Sequence, residues 1–239
     1  MQVTLDELAA RARALVRGRR RAVLGITGCP GSGKTTFAEH LVRLLQPIST
    51  AGGAASPWVA HIPMDGFHLA DVELERLGLR DRKGAPETFD AAGYAALLRR
   101  LHEDQDDVIY VPAFERDREQ PVAGSVPIPR SVRLVVTEGN YLLLEQGDWT
   151  RVRGQLDEVW FCDLDAAERV RRLINRHERF GKEHAAAVAW VMGTDQRNAD
   201  LIDRTRQYAD VIVPASVLQL LGEPHANPLP DPGVSGPIP

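Results

Sequence analysis

The stretch Gly28-Cys29-Pro30-Gly31-Ser32-Gly33-Lys34-Thr35 decides the reading of this chain. It satisfies the spacing GxxxxGK[ST], and it stands between the apolar run Ala22-Val23-Leu24-Gly25-Ile26 and a helical period over 34–46. Glycines let successive backbone N–H groups curl around a phosphate, and the N-terminus of the following helix directs partial positive charge to the same point. The candidate nucleotide cradle is therefore Gly28, Cys29, Pro30, Gly31, Ser32, Gly33, Lys34 and Thr35, with Thr36 on the first helical turn. In such a loop the lysine, here Lys34, reaches the β and γ phosphates, and the Thr35 hydroxyl ligates Mg²⁺.

Outward from the loop, short continuous apolar runs alternate with longer helical periods. Strands are expected at 22–26, 58–63, 108–111, 132–137, 158–162 and 210–213, and helices at 34–46, 90–103, 165–180 and 183–204. That alternation predicts a three-layer α/β/α P-loop fold with a mainly parallel sheet and a small helical lid. The domain plan is an N-terminal helix over 1–20, a P-loop domain over 21–215 with its lid at about 165–182, and a tail over 216–239. Six of the 16 prolines fall between Gly222 and Pro239, too many for helix or central strand.

Composition narrows the function classes. The chain has 239 residues, 44% hydrophobic and 26% charged, with a net charge of −4, so no whole-protein basic field exists to hold nucleic acid. No apolar run approaches the roughly 20 residues of a membrane span, and the charged opening lacks a signal peptide's apolar middle. A cytoplasmic protein is expected, its two cysteines, Cys29 and Cys162, reduced. An Asn-Lys-x-Asp guanine reader is absent, and no repeat suggests a motor, which leaves transfer to a small acceptor.

Two acids stand where strands are expected to end. Asp65, in Met64-Asp65-Gly66-Phe67-His68, is placed to accept the proton of an attacking hydroxyl and orient it. Glu138 follows Leu134-Val135-Val136-Thr137, a Walker B arrangement in which the carboxylate holds Mg²⁺ together with Thr35. The structural alternatives are a helix cap or an Asx turn for Asp65 and a cap for Glu138. After Asp163-Leu164-Asp165, Arg169, Arg172, Arg176 and Arg179 align on one helix face. Phosphoryl transfer spreads negative charge over equatorial oxygens, so a closing helix can supply bidentate donors, with Arg169 and Arg172 as candidates. A solvated basic face accounts for the same spacing.

For the acceptor, Phe67, His68, Phe89, Tyr110, Phe114 and Tyr141 flank the acids and are candidate walls, with Arg82, Arg116 and His177 as candidate polar contacts. Arg82, Lys83, Arg116 and Arg118 serve either an anionic acceptor or local pairs with Asp81, Glu115, Asp117 and Glu119. Asn198 is a further nucleotide or substrate candidate.

Taken together, the P-loop, Asp65-Gly66-Phe67-His68, the segment from Arg82 to Asp90, Val111-Pro112-Ala113-Phe114, Glu138-Gly139-Asn140-Tyr141 and Arg172 to His177 resemble the uridine kinase, pantothenate kinase and phosphoribulokinase superfamily over about residues 20–213. The resemblance is nearest to its bacterial nucleoside/nucleotide kinase branch. It implies an ATP- and Mg²⁺-dependent kinase with Asp65 as general base, Glu138 near the metal and Lys34 on the phosphates, under a lid carrying Arg169 and Arg172. Pro112-Ala113-Phe114-Glu115-Arg116 departs from the Tyr-Asp-Phe-like segment of uridine kinases. The acceptor is expected to be a nucleoside or a sugar-like alcohol, with pantothenate, or a nucleotide switch or chaperone role, as alternatives. Homodimers are common in such kinases, and the sequence leaves that state open.

Overall fold

The structure is a computed structural model that describes residues 3–46 and 57–221. Its strands are β1 (Ala22–Thr27), β2 (Val59–Pro63), β3 (Val108–Glu115), β4 (Gln120–Pro129), β5 (Leu134–Glu138), β6 (Glu158–Asp163) and β7 (Val211–Pro214). Its helices are α1 (Leu5–Leu15), α2 (Lys34–Leu45), α3 (Asp71–Leu77), α4 (Ala91–Glu103), α5 (Trp149–Arg153), α6 (Ala166–Arg179), α7 (His184–Trp190), α8 (Gln196–Asp203) and α9 (Ala215–Leu220).

Among the described residues, five strands form a parallel sheet in the order β2-β5-β1-β6-β7. All six residues of β1 and all five of β5 are buried, which is why both read as unbroken apolar runs. Alternate residues feed two cores. Val23, Val135, Val159 and Phe161 pack toward α4, α5 and the β3–β4 ribbon. Leu24, Val136 and Trp160 pack toward α1, α2 and α9. Behind the carboxyl edge a buried chain of hydrogen bonds joins three elements: the Tyr94 hydroxyl of α4 meets Thr137 Oγ1 of β5 at 2.6 Å, and Thr137 donates to the Ile62 carbonyl of β2 at 2.6 Å.

Three expectations are corrected. The strand at 108–111 does not join the parallel sheet; it begins β3, which pairs antiparallel with β4 in a separate two-stranded ribbon. β4 was not anticipated, because Pro121, Pro127 and Pro129 argue against a central strand. In a two-stranded ribbon each strand is an edge, and a proline can turn its missing donor outward. The helix at 183–204 is interrupted by a π turn over Val191–Asp195. The tail boundary at 216 falls inside α9, whose Val217 and Leu218 are buried against the sheet; Gly222 to Pro239 lies outside the described residues.

Candidate active site

Register alone brings the predicted chemistry to one edge. Glu138 pairs with Ile26 on one side and Pro63 on the other. With strands about 4.8 Å apart, the loop after β1, the end of β5 and the turn after β2 lie within roughly 10 Å of one another. Asp65 sits in the 3-10 turn Met64–Phe67 directly beyond β2, so the cap alternative for α3 is not what forms: Ala70 is that N-cap and carries no side-chain bond.

The loop is built to receive an anion. Gly33, at φ +85°, starts α2 with no side-chain cap, leaving the first helical amides free. Ser32 Oγ, Thr36 Oγ1 and Arg172 Nη1 are buried without a hydrogen-bond partner. Such orphaned donors are costly unless a ligand completes them. Lys34, 8% exposed, donates to the Cys29 carbonyl at 3.1 Å, and burial lowers its pKa against the pull of Glu138. Thr35 Oγ1 donates to Glu138 Oε1 at 3.2 Å. Burial first, then the neighbouring Asp65 charge, push the Glu138 carboxyl up to about 7, with Lys34, Thr35 and Arg116 opposing.

Helix α6 closes directly over this loop. Gly31 has φ +79°, and a Cβ there would meet the Arg169 carbonyl at 2.8 Å and Leu173 Cγ at 2.9 Å, so only glycine admits the lid this close. The four aligned arginines divide their tasks. Arg169 is buried and donates through Nη1 to the Pro30 carbonyl at 3.0 Å, tying α6 to the loop backbone. Arg172 is aimed at the loop: its Nε donates to Glu168 at 2.8 Å, while its orphaned Nη1 lies 3.4 Å from where a Gly33 Cβ would stand. Glu168, held down to about 2 by Arg171 and Arg172, was missed, although its four-residue spacing from Arg172 is visible in the sequence. Arg176 lies in the fields of Asp65, Asp195 and Glu138, facing Arg116.

Two loop side chains lie apart from the backbone cradle. Pro30 has no N–H to offer, and its carbonyl is occupied by Arg169. The Cys29 side chain fills a gap in the core beside the Ala199 carbonyl, and burial raises its pKa.

The acceptor candidates also separate. His68 is sandwiched by Phe89 at 4.0 Å and Phe114 at 4.7 Å, and its Nδ1 meets the Asp65 carbonyl at 2.8 Å. Phe67 stacks on Tyr94 at 4.9 Å behind that group. A cleft of about 1000 Å³ opens next to it, lined by Arg82, Phe89, Trp149, Thr194, Arg197 and Asn198 among others. Arg82 is exposed and pairs with Glu87 at 2.5 Å. Tyr141 does not reach the cleft: it is fully buried, its hydroxyl donating to the Gly84 carbonyl at 2.5 Å. Tyr110 is 60% exposed, on the face of β3 opposite the buried Ile109 and Val111, and is no part of the pocket. His177 bonds Asp195 of the π turn at 3.0 Å and packs edge-on to Trp190, so it ties α6 to the next lid helix. Trp149 and Asp195 had no local signal; neither belongs to a motif, and only the chain's return brings them here.

A parallel α/β sheet with a GxxxxGK[ST] loop at its carboxyl edge and an arginine helix over it defines a P-loop kinase, an ATP-binding transferase. The chain belongs to the Phosphoribulokinase / Uridine kinase family, whose model matches residues 23–221. It is 31% identical over 220 residues to a candidate uridine kinase of Schizosaccharomyces pombe, covering 90% of each chain. It is 32% identical over 201 residues to the YggC protein of Escherichia coli, covering 83% of this chain and 79% of that one. A solved structure from Silicibacter sp. TM1040, described as a candidate fructose transport system kinase, superposes with TM-score 0.75 at 34% identity over 89% of this chain and 100% of that one. YFH7 of Saccharomyces cerevisiae shares the fold with TM-score 0.73 at 20% identity, covering 88% of this chain and 98% of that one.

Proposed function

We propose that the protein transfers the γ-phosphate of Mg·ATP to a hydroxyl of a nucleoside- or sugar-like metabolite in the cytoplasm. The observation that carries this reading is the set of partnerless buried donors, Ser32, Thr36 and Arg172, around a glycine loop that faces two acids across three strand ends. The loop amides and Lys34 hold the β and γ phosphates, Lys34 exchanging its bond to the Cys29 carbonyl for them. The Arg172 fork meets the charge that develops on the transferred group.

The residues present fit a hard divalent cation. Thr35 and Glu138 bring two oxygens together at 3.2 Å. That suits Mg²⁺, which takes one or two protein oxygens and completes its shell with phosphates and water. When bound, the ion neutralises phosphate charge. Asp65 accepts the proton of the acceptor hydroxyl and aims its oxygen at the phosphorus, while α6 keeps water out.

The acceptor body is assigned to the cleft beside His68, between Phe89 and Trp149, with Arg82, Arg197 and Asn198 supplying polar contacts. Relatives named for uridine, fructose transport and pantothenate support a hydroxyl-bearing acceptor of this size. The test is purified Asp65→Asn in a coupled ADP-release assay with nucleosides, sugars, glycerate and pantothenate as acceptors. Turnover is expected to fall by about 10²–10⁴-fold with ATP affinity kept. Unchanged turnover removes Asp65 from the reaction, and ADP release indifferent to every acceptor replaces the kinase reading with an ATPase.

A further inference from the structure

The opposite end of the sheet carries a second concentration of charge that phosphoryl transfer does not use. Gly18, Arg19, Arg20, Asp104, Arg130 and Arg133 line a shallow, solvent-open concavity of about 670 Å³ where the chain enters β1 and β5. Six residues of β1 separate it from the P-loop, which at about 3.3 Å per residue is roughly 20 Å.

The charges there do not cancel. Arg133 donates to the carbonyls of Arg19 and Arg20 and meets no carboxylate among the described residues. The Arg20 side chain has no partner among the described residues. Arg130 donates through Nη2 to the Asp104 carbonyl at 3.0 Å, and the carboxylate it faces, that of Asp107 at 3.7 Å, is 96% exposed. Arg19 pairs with Asp157. The one carboxylate lining the concavity, Asp104, is already neutralised from beneath by Arg21 at 3.0 Å, 1% exposed. Burial lowers the Arg21 pKa, Asp104 opposes this, and the Arg130 charge adds to it, so the guanidinium groups crowd one another. This cationic hollow stands on a protein of net charge −4.

Arginine forks match phosphate oxygens in pairs, and a hollow of this volume suits a small molecule. Its lining holds no aromatic side chain on which a nucleobase stacks, which argues against single-stranded nucleic acid and for recognition of the phosphates themselves. We propose that this concavity is a second anion site, binding a small molecule with a di- or triphosphate group through Arg20, Arg130 and Arg133.

The test is calorimetric titration of pyrophosphate into protein already saturated with a non-hydrolysable Mg·ATP analogue. One further site per chain is expected, weakened at least tenfold by Arg20→Glu/Arg130→Glu and by raising the salt, with analogue affinity and turnover unchanged. Arg20→Ala alone, at an exposed side chain without partners, is expected to weaken it about threefold and serves if the double variant does not fold. A nucleoside diphosphate binding no tighter than pyrophosphate supports recognition of the phosphates; much tighter binding overturns it in favour of a base-reading site. No heat once the P-loop is filled, or equal binding by the variants, removes the site. A thymidine dodecamer binding more tightly than pyrophosphate and lost in the double variant replaces the small ligand with nucleic acid.

Discussion

Glu168 shows how one side chain sets the chemistry of another. It holds Arg172 by Nε, leaving Nη1 aimed at the loop. Arg172→Ala is expected to lower kcat about 100-fold, as loss of a transition-state donor does. Glu168→Ala is expected to lower it roughly tenfold through lost orientation, and the double variant to be no worse than Arg172→Ala alone, because both act through the same fork. Additive losses in steady-state kinetics exclude that arrangement. His61 on β2 is a different kind of residue: its Nε2 is buried without a partner, and burial pulls its pKa down to about 4, with Asp65 opposing. The unfolded chain protonates near 6.5, so His61 contributes stability that is complete above pH 6.5 and lost as the pH falls toward 4. The shift corresponds to on the order of 3 kcal/mol, and His61→Gln is expected to flatten that part of the urea-unfolding profile against pH.

At the scale of elements, the β3–β4 ribbon and the turn that carries Asp65 are fitted to each other through Gly66. A Cβ on Gly66 would stand 2.3 Å from the Pro112 carbonyl, a backbone atom without a rotamer to escape into. Gly66→Ala is therefore expected to cost about 1 to 3 kcal/mol in chemical denaturation and to raise the acceptor KM, since the His68–Phe114 stack spans the same joint. The glycine after the second acid has a packing reason too. A Cβ on Gly139 would meet Met64 at 2.5 Å, so its role is to let β5 and the Asp65 turn close together. The lid is likewise a joint. The π turn brings Asp195 round to His177, and π turns recur where a helix must present a side chain off its regular spacing.

For the whole molecule, the sheet divides the apolar residues into two cores, and the chain's last described helix closes one of them. Val217 and Leu218 of α9 are 3% and 2% exposed beside Trp160 and Cys162. A chain ending at Pro214 is expected to be about 3 to 6 kcal/mol less stable than one ending at Leu221, from two buried side chains at about 1.5 to 3 kcal/mol each. Thermal unfolding of the two chains measures that difference.

The sequence by itself determined the parallel α/β class, the phosphate loop, both edge acids and the arginine face. Each of these is a contiguous motif or a local period, and a parallel strand buried on both faces writes itself as an apolar run. Only the tertiary structure decided that Arg169 meets the loop backbone while Arg172 keeps a buried Nη1 without a partner, that Tyr141 and Tyr110 leave the pocket while Trp149 and Asn198 enter it, and that 108–129 is a ribbon outside the sheet. Those outcomes depend on which distant segment each side chain meets: Arg169 meets the carbonyl of Pro30, and Tyr141 that of Gly84. A hydrogen bond between residues far apart in the chain leaves no spacing to read, so it becomes visible only once the strands are in register.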